Sequence, residues 1–243
     1  MKTRHALRSL YPLFLGMLFS MPALANTASE PVPGGDPAWF ARHEAMNKRA
    51  QEGNVGLIYI GDSIVQHWEN QGKETWDKYY APRNGLNLGI SGDRTEHVLW
   101  RLDHGNIDGI SPKLAIVMIC QNNDGSNTAE EIAEAVTAIV QKLRTKLPDT
   151  RILMLAIFPR RENPTPERET LYKANEITSK LADNEHIFYM DINNLWVNPD
   201  GKMKKELLPD FEHPNSEGHR IWAEAIEPKV AALMGDTPVK QAP

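Results

Sequence analysis

The segment Ile60-Gly61-Asp62-Ser63 ends an apolar run with a serine. A serine hydroxyl attacks well only when a base takes its proton, and the usual base is an imidazole held in one tautomer by a carboxylate. Far along the chain, Asp210-Phe211-Glu212-His213-Pro214 offers that pair. An Asp three residues before a His can curl within a tight loop, so that its carboxylate meets Nδ1 and Nε2 is left to face a serine. Pro214 fixes the chain beyond it. Acyl transfer also builds charge on a carbonyl oxygen, and each preorganised donor there is worth about 3–4 kcal/mol in other enzymes. Candidate donors are the Ser63 N–H, the Gly92 N–H and the Asn122 amide. Each residue has a plainer reading as well. Asp62 and Ser63 are good helix caps, and Asp210 suits a polar loop. Gly92 suits a turn of positive φ, and Asn122 suits a loop in which it bonds its own backbone.

The elements that must position these residues follow from the apolar pattern. Short runs at 55–60, 86–90, 114–119, 151–158 and 187–192 are apolar on successive residues, as parallel strands buried on both faces should be. Helical patterns fall between and around them, at 38–51, 129–147, 165–182 and 215–234. Thr128 and Glu131 form an S/T-x-x-E capping box ahead of the stripe Ile132, Val136, Ile139, Val140, Leu143. Alternating strands and helices predict a doubly wound α/β sheet with ligands beyond the carboxyl ends of the strands. Ser63, the Gly89–Asp93 segment and the Cys120–Asn123 segment all fall at strand ends, on one rim.

In order and at these strand ends, the blocks Ile60-Gly61-Asp62-Ser63, Asn87-Leu88-Gly89-Ile90-Ser91-Gly92-Asp93, Asn122-Asn123 and Asp210-x-x-His213-Pro214 resemble the signature blocks of SGNH (GDSL) hydrolases. Val98-Leu99-Trp100-Arg101-Leu102 and Asn127-Thr128-Ala129-Glu130-Glu131 are similar to the branch that holds the platelet-activating-factor acetylhydrolase α subunits and bacterial carbohydrate acetylesterases. The resemblance spans residues 38–234. It implies a flavodoxin-like three-layer sandwich with a five-stranded parallel sheet. It implies Ser63 as nucleophile, His213 as base, Asp210 as its orienter, an oxyanion hole of Ser63, Gly92 and Asn122, and no cofactor. No metal-ligand spacing stands in the chain either: His43-Glu44 has no second His at position 47, and there is no C-x-x-C. One departure is Cys120-Gln121, where the family's third block usually reads Gly-Thr. A positive φ there would strain Cys120 by about 1–3 kcal/mol. The expectation is a negative φ, with Cys120 packed as a small apolar residue.

The first 25 residues carry Lys2, Arg4 and Arg8, an uncharged run from Leu10 to Leu24, and Ala23-Leu24-Ala25, the pattern of a secretory signal peptide. Its removal takes the formal net charge from −5 to −8. An acidic chain without a basic run is no partner for nucleic acid or anionic membranes. Residues 26–37 read as a flexible leader, 38–234 as the hydrolase domain and 235–243 as a disordered tail. The reading is an exported enzyme, periplasmic or secreted, that takes short acyl esters, above all O-acetyl groups on carbohydrate. The chain lacks both a long lid insertion and the G-x-S-x-G of α/β-hydrolases. A lysophospholipase or thioesterase, or a glycan-binding module weakened by Cys120-Gln121, are the alternatives. Gln121, Arg94 and Trp196, with Gln66 and Arg160, are placed at the pocket by position. His186 and His219 are read as surface residues.

Overall fold

The computed structural model describes residues 25–240. The expected signal peptide, but for Ala25, and the last three residues of the chain lie outside the described residues.

Five short strands form the sheet: β1 (Leu57–Gly61), β2 (Gly85–Gly89), β3 (Leu114–Met118), β4 (Arg151–Leu155) and β5 (Ile187–Met190). All pairs are parallel and the order is β2-β1-β3-β4-β5. Side chains alternate between faces along each strand. Ile58, Ile60, Ala115, Val117, Ile152 and Met154 enter one apolar cluster, and Leu57, Tyr59, Leu114, Ile116, Leu153 and Leu155 enter the other. This two-sided burial explains why the strands read as unbroken apolar runs.

Helices cover both faces. Against the first cluster pack α1 (Pro37–Gln51), α4 (Thr95–Asp103), α5 (Ala129–Lys146) and α6 (Pro166–Thr178); against the second pack α2 (Ser63–Gln66), α3 (Lys73–Tyr79) and α7 (Ser216–Met234). The result is the expected three-layer α/β sandwich. The capping box forms as read, with Thr128 Oγ1 accepting from the Glu131 N–H and Glu131 Oε2 from the Thr128 N–H. Strand order reverses between β1 and β3, so a crevice opens at their carboxyl ends. Among the described residues no helix is long and apolar enough to cross a membrane.

Two boundary expectations change. The stretch 26–37 is not a free leader. Ala28 is fully buried and its carbonyl accepts from Thr95 Oγ1, while the Asn26 amide donates to the Glu131 carbonyl and to Glu134 Oε2. Gly34 lies on the indole of Trp39, where a Cβ would collide with the ring. The tail is likewise held as far as the structure describes it. Asp236 pairs with buried Arg83 at 2.9 Å, and the Val239 N–H donates to Glu227 Oε1 at 2.7 Å. Small, polar and proline-rich residues read as loose, but here their side chains and backbone groups find fixed partners in the domain.

Candidate active site

Ser63 opens α2 directly after β1, with Asp62 as N-cap accepting from the Ile64 N–H at 3.0 Å. The Ser63 N–H therefore belongs to the first helical turn, whose donors have no partner within the helix and favour negative charge. The chain turns sharply here, and a Cβ at Gly61 would meet the Met118 carbonyl at 2.4 Å.

His213 and Asp210 sit in the loop between β5 and α7. The Asp210 carboxylate accepts from the backbone N–H of His213 and of Glu212 through Oδ1, at 2.8 and 3.0 Å, and from the imidazole through Oδ2 at 2.7 Å. A carboxylate only accepts, so Nδ1 carries the proton and Nε2 is the acceptor. Ser63 Oγ stands 2.9 Å from Nε2. Burial alone would raise the Asp210 carboxyl, but the hydrogen bonds from the His213 backbone and ring and from the Glu212 backbone outweigh it and hold the group below the usual carboxylate range. Asp210 thus stays ionised and fixes the tautomer that a base needs. Phe211, at φ +60°, makes the tight curl possible.

The candidate oxyanion donors come from the neighbouring strand ends. Gly92 has φ +80° and open space around its Cα. The Asn122 amide donates one hydrogen to the Asp93 carbonyl at 2.9 Å, which locks its orientation and leaves a second N–H. Cys120 corrects an expectation: its φ is +107°, not negative, and its side chain is fully buried. The 3₁₀ turn that follows needs the left-handed conformation a glycine would supply, and Cys120 takes it despite its Cβ. The strain does not displace the Asn122 amide from its tether.

Behind these loops lies a buried strut. Asp93 and Arg101 are both at most 1% exposed and pair at 2.7 Å. Trp39 Nε1 donates to Asp93 at 2.6 Å, and Arg101 reaches the Gly61 carbonyl at 3.4 Å. The strut thus connects the base of the Gly92 loop to the strand that carries Ser63.

Of the residues placed at the pocket by position, none of the three substrate candidates presents a free side chain. Trp196 is fully buried between Phe158 and Trp222. Gln121 is 1% exposed and its amide donates to the Phe158 carbonyl. Arg94 is tied to Glu96, Ser126 and Asn127. Each turns inward because an interior polar or aromatic contact is available there, which position along the chain does not disclose. Gln66 accepts from the Ser91 N–H, and Arg160 bonds to Gln121, Asp124 and Glu212. His219 is also corrected: it is fully buried, edge-on to Trp68, and burial pushes it down to about 4, so it is a neutral core residue. His186 is partly exposed.

Two features escaped the sequence reading. His67 lies with its ring centroid 4.7 Å from that of His213, and burial, then the neighbouring His213, lowers its pKa. The spacing Ser63 to His67, one helical turn, was the available signal. Asp62 is fully buried, and burial raises it to about 7.

This geometry, a serine hydroxyl bonded to an imidazole that is bonded to a carboxylate, stands beside the comparisons with known proteins. Residues 59–221 match the family model described as GDSL-like Lipase/Acylhydrolase family. The α2 subunit of platelet-activating factor acetylhydrolase IB from Rattus norvegicus is 33% identical over 220 residues, covering 90% of this chain and 94% of that protein. The human α1 subunit is 31% identical over 223 residues, covering 90% and 95%. Among solved structures, a GDSL-like lipase from Bacteroides thetaiotaomicron aligns with TM-score 0.65 at 15% identity, covering 79% of this chain and 97% of that one. A variant of an acetyl-xylooligosaccharide esterase from Geobacillus aligns with TM-score 0.58 at 18% identity, covering 78% and 100%. The chain belongs to the GDSL (SGNH) lipase/acylhydrolase family and is a hydrolase of ester bonds.

Proposed function

We propose that the protein is an exported serine esterase that removes acetyl groups from carbohydrate through an acyl-enzyme on Ser63. The observation that carries the reading is the Ser63–His213–Asp210 chain of hydrogen bonds, at 2.9 and 2.7 Å. His213 Nε2 takes the hydroxyl proton as Ser63 Oγ attacks the ester carbonyl. The carbonyl oxygen gains the charge and is met by the N–H groups of Ser63 and Gly92 and by the Asn122 amide. His213 then gives its proton to the leaving alcohol as the ester C–O bond breaks. Water, deprotonated by the same imidazole, attacks the acetyl-serine and releases acetate.

The acetyl preference draws on the Geobacillus acetyl-xylooligosaccharide esterase of the same fold. The signal-like segment at 1–25 supports export, where polysaccharides are met. A second reading rests on the relatives at 31–33% identity, which are named for platelet-activating factor and so favour an acetylated lipid. Longer acyl esters, as in a lysophospholipase, follow from the same triad.

Acetate release from acetylated xylan, set against hydrolysis of platelet-activating factor and of p-nitrophenyl esters from C2 to C12, tests the assignment. Turnover of xylan acetate, falling with acyl length and abolished in Ser63→Ala, is expected. Equal turnover by Ser63→Ala overturns the serine mechanism, and absence of turnover with a Ser63 that does not react with a fluorophosphonate leaves a glycan-binding module. Processing at Asn26, read by N-terminal sequencing of the protein recovered outside the cytoplasm, tests export.

A further inference from the structure

Asn122 and His213 must hold a fixed separation for a tetrahedral centre on Ser63 to be met from both sides. They stand on different loops, one after β3 and one after β5, and β4 lies between those strands. No strand pairing connects the two loops. A side chain from the β4–α6 loop does. Arg160 donates from Nη1 to the Gln121 carbonyl at 2.9 Å and to Asp124 Oδ1 at 3.1 Å, and from Nη2 to Glu212 Oε2 at 2.9 Å. Gln121 precedes Asn122, and Glu212 precedes His213. We propose that Arg160 is a positioning residue for ester hydrolysis, a clamp that sets the spacing between the oxyanion loop and the base loop. The inference rests on the hydrolase reading above.

Three observations support it. First, the clamp is itself anchored. Buried Arg168 donates from Nε and Nη2 to the Arg160 carbonyl at 3.1 and 3.0 Å, and from Nη1 to the Gly201 carbonyl at 2.7 Å. The Arg161 N–H donates to the Phe211 carbonyl at 2.9 Å, tying the loop that carries Arg160 to the base loop through backbone. Second, the chemistry is specific to arginine. A planar guanidinium serves acceptors along two edges at once in a rigid geometry, which a lysine ammonium on a flexible stem does not reproduce. Third, charge makes the clamp one-sided. The Arg160 side chain is 16% exposed, Asp124 is 6% and Glu212 is 22% exposed. Without the cation, Glu212 loses its partner, Asp124 keeps only Arg161 at 3.7 Å, and the two carboxylates repel. Glu212 then moves with His213, and Asp124 moves with the Asn122 turn. Arg160 hydrogen-bonds to neither Ser63 nor His213, so it acts through its neighbours.

The test compares Arg160→Lys, Arg160→Ala and Glu212→Ala in the full chain, on p-nitrophenyl acetate and by the rate of Ser63 labelling with a fluorophosphonate. A displacement of about 1 Å in such a site costs roughly a hundredfold in rate. Arg160→Lys, which keeps the charge and the fold, is therefore expected to lose on the order of ten- to a hundredfold in kcat, with KM nearly unchanged and a parallel loss in labelling rate. Glu212→Ala is expected to lose less, and adding Arg160→Ala to it to cost less than it does alone, because the two share one contact. Millimolar guanidinium is expected to restore activity to Arg160→Ala and to leave Glu212→Ala unimproved. A purely structural role moves thermal stability without the kcat-against-KM split or the rescue. Wild-type labelling with unaltered kcat in Arg160→Lys overturns the clamp alone. A wild-type serine that does not label at all overturns the hydrolase reading first and the clamp with it.

Discussion

On the Ser63 side of the site, side chains and backbone are anchored to the sheet; on the His213 side, a surface loop does the holding. Ser63 follows β1 directly, its cap Asp62 is fully buried, and the Asp93–Arg101 pair ties the neighbouring loop to the Gly61 carbonyl. The Asn87 amide donates to the Val65 carbonyl, and the Ser91 N–H to Gln66. By contrast, the Asp210 side chain is 57% exposed and its partners all come from its own loop, with Arg160 gripping Glu212 from outside. The contrast shows how one site divides its needs. In the proposed mechanism the nucleophile and oxyanion donors share the stability of the core, whereas the base can be perturbed without unfolding anything.

The sharpest break of this contrast is at Asp210. Asp210→Asn is expected to cost on the order of 10⁴-fold in kcat, by removing the tautomer that lets His213 accept a proton. Its unfolding free energy, followed by urea denaturation, should shift by less than about 1 kcal/mol, as for exposed sites. A large stability loss there erases the distinction between the halves.

The opposite signature is expected from Arg101→Met. It strands Asp93 as an unpaired charge in the core, at a cost of about 3–5 kcal/mol. Activity per folded molecule should fall far less than stability, provided the Gly92 loop keeps its place. Measured stability unchanged from wild type removes the strut.

Asp62 sharpens the same side through pH. Its folded value of about 7 lies above the ordinary 3.8, so the native state holds this proton more tightly than the unfolded chain. The resulting stabilisation is complete below the unfolded value and is lost as pH rises through about 7. Between pH 5 and 8 the loss is roughly 2–3 kcal/mol. Urea midpoints of Asp62→Asn are expected to lack that decline; a parallel decline in both proteins refutes it.

The smallest effect belongs to Cys120, where φ is +107°. Cys120→Gly and Cys120→Ala both lose the thiol, but alanine keeps the strain. The glycine variant is expected to be more stable than the alanine variant by about 1 kcal/mol. Thermal melts in which alanine is the more stable contradict the backbone reading.

How far these features were legible in the sequence depended on whether they were local. The strands, the α5 capping box and the Asp210–His213 curl each arise within a few residues, and all formed where read. Trp196, Gln121 and His219 were misplaced because a side chain's direction is settled by distant partners: Phe158 and Trp222 for the first, the Phe158 carbonyl for the second, Trp68 for the third. The turn after β3 dictated the Cys120 φ against the residue's own preference. The Arg160 clamp joins residues that sit 36 to 52 positions away, and no spacing rule reports such a junction.

The thiol of Cys120 has one more consequence. It is the sole sulfhydryl in the chain, fully enclosed at the mouth of β3, and burial pushes it well above its ordinary pKa. An alkylating reagent can reach it only when that end of the sheet opens, and it reacts through the thiolate. The native protein therefore carries its own clock for local opening beneath the loop that holds Asn122, and its alkylation rate reads how often that floor breathes.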